Sequence, residues 1–292
     1  MVFLLANASP PVGLTQCRAC AKNVNTLMAS AMVMSLYCHR HLTWEFTRRD
    51  LKARFVGSAM GFFWSVVQPL LTLGIFLFLF SVVLNLRVPP SEGGGSFALF
   101  LLTGMLPWLA FQETLLRSAH VVLDNTTLIK KTLFPSKVLP LYLALSSLAM
   151  EAVGLLVLGA AILAVTHRLP LTVLLLPLVI LLQLIFTLGL AWAMAGLTVY
   201  FRDLFHVTGA FLTVWMYLTP IVYPESLLPD TLRPLFWWNP YRHVVAAYRA
   251  LLLEGRLPPL ESLLYLTAVA LLVGWAGSRL FDRLSPAFSD LI

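Results

Sequence analysis

The chain of 292 residues is 59% hydrophobic and only 11% charged, whereas an average soluble domain is about 45–50% apolar and about 25% charged. So few charges cannot coat a soluble protein of this size, and the high hydrophobicity excludes an intrinsically disordered chain. The formal net charge of +7 is spread along the chain and does not form the basic patch that nucleic acid requires. We therefore predict an integral membrane protein without a nucleic-acid partner.

The first forty residues contain all three cysteines, Cys17, Cys20 and Cys38. A CxxC pair followed by Cys38-His39 suggests zinc, but the second CxxC of a typical zinc site is missing, so we expect no metal. We interpret residues 1–40 as a cytoplasmic extension that is poorly ordered, or not native if translation begins at Met32 or Met34. Residues 41–292 then form the membrane domain.

A charged helix is predicted over 41–56, directly before the first membrane span. Trp44, Leu51 and Phe55 share one stripe of this helix, at i, i+7 and i+11. Four basic residues surround the stripe, namely Arg48, Arg49, Lys52 and Arg54. The pattern predicts an amphipathic helix that lies on anionic lipid, contacts a cytoplasmic partner, or does both.

Six uncharged or nearly uncharged stretches are long enough to cross a bilayer, which requires about 20 apolar residues per helix. They predict an all-α membrane protein with spans near 61–86, 96–121, 138–166, 171–200, 205–223 and 260–281. With the N-terminus placed inside, fourteen Lys and Arg residues lie on the inner side and six on the outer side. Because cytoplasmic segments carry the basic excess, both termini are predicted to be cytoplasmic.

A short amphipathic helix is predicted between the second and third spans, over 124–135. Asp124-Asn125 offers an N-cap, and Phe134-Pro135 ends the helix. Apolar side chains at Leu128, Ile129 and Phe134 lie against the membrane or fit a groove of a partner and transmit force.

Glu151 is the one charged residue of the third predicted span. A carboxylate at membrane depth is costly and usually faces the interior of the helix bundle. It either makes a structural hydrogen bond, ionised or protonated, or takes part in substrate contact or gating.

The segment between the fifth and sixth spans, residues 224–259, is rich in both proline and apolar residues. Asn239-Pro240 predicts the start of a helix, and Glu254-Gly255 predicts its end about 14 residues later. Such a helix is too short to span, so we predict a re-entrant or interfacial helix pair that lines a pathway. Arg242 and Arg249 share a face of this helix, where they attract anionic substrate or lipid phosphate, or extend to the membrane interface.

No catalytic motif is present in the sequence. It contains no GxxxxGK[ST] phosphate loop, no HExxH and no GxSxG pattern. We therefore expect no enzymatic site in this chain, and a partner has to supply any ATP hydrolysis.

Several segments, in this order, resemble one family: the membrane subunits of bacterial polysaccharide ABC exporters, the type-2 ABC transporter permeases for O-antigen, capsule and teichoic acid. The similarity covers about residues 42–292. The matching segments are RDLKARF at 49–55 with Ser58, Gly61, Trp64 and Pro69-Leu70, then 102–108, 125–135, 200–203, 218–224, Asn239-Pro240 and the terminal FSDLI at 288–292.

The resemblance implies one half of a transporter in the bacterial cytoplasmic (inner) membrane. Two copies pair with two cytoplasmic ATPase subunits, which bind ATP and Mg²⁺, and export a lipid-linked polysaccharide through a channel between the copies. This chain itself is expected to bind no cofactor.

The resemblance also assigns roles to the segments described above. The interface helix includes Trp44, Arg48, Arg49, Asp50, Lys52 and Arg54. The coupling helix that meets the ATPase includes Asn125, Leu128, Ile129, Lys130, Lys131, Phe134 and Pro135. The gate and channel residues are Trp64, Glu151, Trp215, Tyr217, Trp237, Asn239, Pro240, Arg242 and Arg249, among which the aromatic residues are candidates for stacking on sugars.

Three other functions remain as alternatives. An ABC exporter of a drug or a lipid shares the architecture. A secondary transporter would show an inverted internal repeat, and a membrane glycosyltransferase would need an acidic metal-binding cluster. We find neither feature in the sequence.

Overall fold

The computed structural model describes residues 39–55, 71, 74–75, 78–83, 96–131 and 134–288. All regular secondary structure in these ranges is helical. Residues 1–38, most of the predicted span at 61–86 and the candidate channel residue Trp64 lie outside the described residues.

The α-helices of the described ranges vary widely in length. In chain order they are α1 (Arg40–Phe55), α2 (Phe97–Asp124), α3 (Thr126–Lys131), α4 (Val138–Thr166), α5 (Leu176–Tyr200), α6 (Leu204–Tyr217), α7 (Arg233–Trp237), α8 (Pro240–Arg249) and α9 (Leu260–Leu284). Short 3₁₀ turns cover Leu171–Leu175, Glu225–Leu227 and Ser285–Ala287, and π-helical turns cover Phe78–Val83 and Ala250–Glu254.

Four helices of the described part are long and apolar enough to cross a membrane: Phe97–Asp124, Val138–Thr166, Leu171–Tyr200 and Leu260–Ala287. Each begins within one residue of a predicted start, which confirms these four segments as apolar helices of spanning length. Helix α6 has only 14 residues. A fifth span at 205–223 therefore stays a prediction, as does the total of six.

The helices pack around two hydrophobic clusters at different levels of the bundle. Helix α2 packs on both α4 and α5. The larger cluster surrounds Trp108 and Tyr241, and the smaller one surrounds Trp192 and Phe281. Near the smaller cluster, the Lys137 ammonium group pairs with the Asp282 carboxylate at 2.7 Å.

Helices α5 and α9 run parallel and in close contact because glycines meet at their crossing. A Cβ atom added at Gly277 would collide with the backbone of Gly189, and one added at Gly274 would lie 3.0 Å from Ile185 Cγ2. Small residues let helix backbones approach closely in membranes. Further along, the Tyr200 hydroxyl donates a hydrogen bond of 3.2 Å to the Leu284 carbonyl.

We predict that Gly277→Ala destabilises the protein because α5 and α9 must separate. Overpacking costs about 1–3 kcal/mol, which lowers the melting temperature by roughly 2–10 °C in detergent-purified protein. The matched control is Gly159→Ala, since no heavy atom lies within 4 Å of a Cβ placed at Gly159. Equal melting temperatures for the two variants would contradict the close crossing.

Candidate functional site

Helix α1 is held against the bundle by a cluster of charged side chains that we call the Asp50 cluster: Asp50, Arg54, Glu113, Arg117 and Ser146. The Asp50 carboxylate accepts hydrogen bonds from the Arg117 guanidinium, from Arg54 Nε at 3.1 Å and from Ser146 Oγ at 2.5 Å. Both arginines also contact Glu113, at 2.5 Å from Arg54 and 3.2 Å from Arg117. Two carboxylates and two guanidinium groups thus join α1 to α2 and α4.

The cluster stabilises the ionised form of Asp50. Partial burial raises the pKa of Asp50, but the hydrogen bonds from Arg117 and Ser146 and the charges of Arg117 and Arg54 outweigh it, so the pKa is lowered overall. A carboxyl with a lowered folded-state pKa contributes stability above its unfolded-state pKa, and loses that contribution as the pH falls through the folded value. At neutral pH the clamp on α1 is therefore fully formed.

The face of α1 that packs on the protein carries both polar side chains and Phe46, whose ring lies 5.5 Å from the Tyr142 ring. Thr43, Thr47, Asp50 and Arg54 are buried or half-buried, whereas Trp44 is 62% exposed. Of the predicted stripe, Trp44 therefore faces away from the bundle and Leu51 is half-buried, whereas the Phe55 side chain lies outside the described residues. Exposed Arg and Lys side chains on α1 are Arg40, Arg48, Arg49 and Lys52.

The predicted coupling helix is observed as α3, one residue after α2. Asn125 stands at the predicted N-cap position, directly before α3, and it also ends α2, because its side-chain amide donates to the Val121 carbonyl at 2.8 Å. Its own carbonyl accepts from the backbone amides of Leu128 and Ile129, at 3.1 and 3.2 Å. Asn125 is therefore hydrogen-bonded to both α2 and α3, which restrains the orientation of α3 relative to α2.

The apolar side chains of the coupling segment contact their own chain. The Phe134 ring lies 5.6 Å from the Phe46 ring of α1, and Ile129 and Phe134 both pack on the cluster around Trp192. The exposed side chains of α3 are Thr127 and Lys130, while Leu128 and Pro135 are half-buried and the Lys131 side chain lies outside the described residues. A partner that docks here meets Thr127 and Lys130 first.

Glu151 faces the interior of the bundle, as predicted for a carboxyl group at membrane depth. Its Oε2 accepts from Gln183 Nε2 at 2.8 Å, and its Oε1 lies 2.6 Å from the Tyr248 hydroxyl. That hydroxyl is also 2.7 Å from Gln183 Oε1. These three buried groups connect α4, α5 and α8.

The predicted start of the short helix is confirmed. The Asn239 side-chain oxygen accepts from the backbone amide of Tyr241 at 3.0 Å, with Pro240 at the first helical position. The same oxygen accepts from Trp215 Nε1 at 3.0 Å, and the Asn239 amide donates to the Leu218 carbonyl at 3.1 Å. One side chain therefore caps α8 and ties it to the end of α6.

The two arginines of α8 have different surroundings. Arg249 is 95% buried, since only 5% of it is exposed, and its guanidinium donates to the Pro220 and Ile221 carbonyls at 2.7 Å each. The same group lies 3.5 Å from the centre of the Phe100 ring. Arg242 instead pairs with the Glu225 carboxylate, at 2.6 and 2.8 Å. The helix end at Gly255, with a φ of 65°, is confirmed, although its last turn, Ala250–Glu254, is π-helical.

The candidate aromatic residues also separate into two groups. Trp215 is half-buried and contacts Phe111 edge-on at 5.3 Å. Tyr217 and Trp237 are more exposed.

The sequence did not point to Gln183, Tyr241 or Tyr248 as parts of this site. For Gln183 the sequence did contain a usable signal, because a polar amide side chain inside an otherwise uncharged span often bonds to a neighbouring helix. For the two tyrosines there was no such signal, because a sequence alone does not distinguish a buried tyrosine from one at the membrane interface. No group of three or more His, Cys, Asp or Glu side chains suited to a metal occurs in the searched, described part of the chain.

We predict that Glu151→Leu destabilises the protein more than Glu151→Gln does. Leucine leaves the Gln183 amide and the Tyr248 hydroxyl buried without their partner, at a cost of about 1–3 kcal/mol for each group. Glutamine retains both a donor and an acceptor in the same shape. Melting curves of the two variants in detergent measure the difference, and equal stabilities would show that the three-residue contact does not hold α8.

Similarity to known proteins covers nearly all of the chain. A family model described as ABC-2 type transporter matches residues 41–253. The chain is 35% identical, over 89% of its length and 99% of the relative, to the O-antigen export system permease protein RfbA of Myxococcus xanthus. It is 31% identical to the protein of the same name from Klebsiella pneumoniae, over 84% and 93% of the two chains. It is 27% identical to the polysialic acid transport protein KpsM of Escherichia coli, over 78% and 88%. The chain therefore belongs to the ABC-2 type transporter family.

Proposed function

We propose that this chain is the membrane subunit of an ATP-driven exporter that moves a lipid-linked polysaccharide outward across the bacterial cytoplasmic membrane. The family supports transport, and the names of relatives that are 27–35% identical support a polysaccharide cargo. The observation that carries the mechanism is the Asp50 cluster, which fixes a surface helix to a spanning helix through ionic hydrogen bonds.

In the proposed assembly, two copies of the chain pair with two ATPase subunits that bind ATP and Mg²⁺. Each copy has six spans, and both of its termini are cytoplasmic. Helices α7 and α8 form the re-entrant pair at the outer side. The basic residues of α1 lie at the inner membrane surface, where anionic lipid attracts them.

The geometry supports transmission of force from the ATPase to the bundle. Helix α2 has 28 residues, or about 42 Å at 1.5 Å per residue, so it extends beyond a hydrocarbon core of about 30 Å. Its end carries α3 after one residue, and the Asp50 cluster joins it to α1 nearby. A push on α1 or α3 therefore displaces α2.

The internal contacts divide the candidate gate and channel residues by role. Glu151, Trp215, Asn239 and Arg249 bond to other parts of the chain, so we assign them to the positioning of α8. Tyr217 and Trp237 are exposed enough to meet the cargo. Trp64 keeps its proposed channel role from the family resemblance alone.

We predict that Lys130→Glu and Thr127→Arg reduce stimulation of the partner ATPase and reduce export, without lowering the melting temperature. Both side chains lie on the exposed face of α3, so the new charges meet the partner and not the core. Ile129→Asp should instead unfold the segment, because Ile129 packs on the Trp192 cluster. ATPase assays of the reconstituted complex measure the effect. The control is Arg168→Glu, which reverses an exposed charge just after the C-terminal end of α4. Normal ATPase stimulation by the Lys130 and Thr127 variants would contradict docking of the partner at α3.

Copurification and a deletion strain test the function itself. We expect a tagged chain to copurify with an ATPase subunit and with a second, differently tagged copy of itself. We also expect its deletion to remove a surface polysaccharide, which glycan staining and sugar analysis detect. An unchanged surface polysaccharide, together with an altered lipid or drug-resistance profile, would favour an exporter of those cargoes instead.

A further inference from the structure

A cleft lined by both charged and apolar side chains opens beside the segment that links α6 to α8. Its volume is about 530 Å³, and Glu225, Ser226, Leu228, Phe236, Trp237 and Arg242 are among its lining residues. This volume lies in the range of about 300–1,000 Å³ that is typical of small-molecule sites. Helix α8 contacts the first half of α2, whereas α1 contacts its second half, so the cleft and α1 lie towards opposite ends of the bundle.

The polar groups of the cleft are held in place before any ligand arrives. The Glu225 carboxylate and the Arg242 guanidinium form a bidentate ion pair, with N···O distances of 2.6 and 2.8 Å. Arg242 is anchored on α8, next to the Asn239 cap. The cleft thus presents carboxylate acceptors, guanidinium donors and the Ser226 hydroxyl from one fixed wall.

One aromatic side chain of the cleft is equally fixed. The Trp237 ring lies 5.0 Å from the Tyr265 ring and contacts the His243 ring edge-on at 5.4 Å. His243 Nε2 donates to the Trp237 carbonyl at 2.8 Å. Trp237 nevertheless keeps 37% of its surface exposed, so an aromatic surface remains available beside the ion pair.

We propose that this cleft binds one or two sugar units of the exported polysaccharide as it leaves the bundle, an inference that rests on the proposed function. The C–H groups of a pyranose ring are weakly positive and pack on the negative face of an aromatic ring. Sugar hydroxyls both donate and accept, which matches a neighbouring carboxylate and guanidinium. Two guanidinium groups, Arg233 and Arg242, line the cleft with the Glu225 carboxylate, and both are paired with carboxylates, Arg233 with Asp230 at 2.9 Å and Arg242 with Glu225. Paired charges disfavour an acyl chain, so a sugar surface that combines hydroxyls with C–H groups fits best.

Photo-crosslinking in cells tests the contact directly. The amino acid p-benzoylphenylalanine is placed at Leu228, which lines the cleft, or at the adjacent Leu227, which is exposed but does not line it. We expect polysaccharide-linked protein, visible as a high-mass smear that reacts with glycan stain, from position 228 and much less from 227. Equal labelling at both positions, or crosslinks at 228 to lipid or protein alone, would overturn the proposal.

Two neighbouring tryptophans supply a matched pair of variants for the stacking surface. Trp237→Ala should lower the yield of crosslinking at 228 and the rate of export about three- to tenfold. Trp238→Ala removes one edge-on contact of the Trp237 ring, at 5.6 Å, but keeps the contacts of that ring with Tyr265 and His243. It should leave both nearly unchanged, because Trp238 is 68% exposed and does not line the cleft. Melting temperatures of both variants separate loss of binding from loss of folding, and if Trp237→Ala unfolds, the comparison of positions 228 and 227 still decides.

Failure of this inference and failure of the proposed function give different results. If deletion of the protein abolishes the surface polysaccharide while Trp237→Ala exports normally and position 228 stays unlabelled, the cleft does not bind the cargo and the export function stands. If deletion leaves the polysaccharide unchanged, the proposed function itself is wrong.

Discussion

The arrangement of the half of the bundle that contains α8 depends on one constraint: a backbone carbonyl that leaves a helix among apolar helices must find a donor within the protein, because an unpaired polar group in apolar surroundings is costly. Between α6 and α8 the chain is largely irregular. Its carbonyls at Leu218, Pro220 and Ile221 are bonded by the side chains of Asn239 and Arg249. The donors of α8 therefore fix where the preceding segment lies, and the segment in turn holds α8 inside the bundle.

The same constraint explains why the proposed sugar cleft has rigid walls. Where α7 ends, the carbonyls of Trp237 and Trp238 are bonded by His243 and by the Tyr265 hydroxyl, at 2.8 and 2.7 Å. Side chains that satisfy the backbone thus also position the aromatic ring that lines the cleft. The Trp237 carbonyl is partly buried, and an unpaired buried carbonyl costs about 1–3 kcal/mol, so its bond to His243 restrains the end of α7, which suits a site that must present the same surface to successive sugar units.

Local signals in the sequence were sufficient for the limits of the short helix after Asn239 but not for the partners of charged residues. Asn239-Pro240 and Gly255 set the limits of the short helix, because caps act within a few residues. Arg249 was expected to meet substrate, lipid phosphate or the membrane interface, yet it bonds carbonyls 28 and 29 residues earlier in the chain. Asp50 likewise finds partners 67 and 96 residues away. Such pairings depend on how helices pack, and a single sequence without its fold does not contain that information in readable form.

Helix α2 makes polar contacts at both ends of the bundle. Its Arg117 holds Asp50 of α1, and ten residues earlier the Pro107 carbonyl accepts a hydrogen bond from the buried Tyr241 hydroxyl of α8. If α2 moved alone, that bond would break and leave two buried polar groups unpaired, at a cost of about 1–3 kcal/mol each. If α8 moves with α2, the bond is kept and the contact of Arg249 with Phe100 of α2 is kept as well. Helix α8 is in turn bonded to α4 and α5 through the Tyr248 hydroxyl, which contacts Glu151 and Gln183. A displacement of α2 that keeps its bond to α8 therefore acts on α4 and α5 as well, and reaches Arg242 and its side of the cleft through a movement that these helices share.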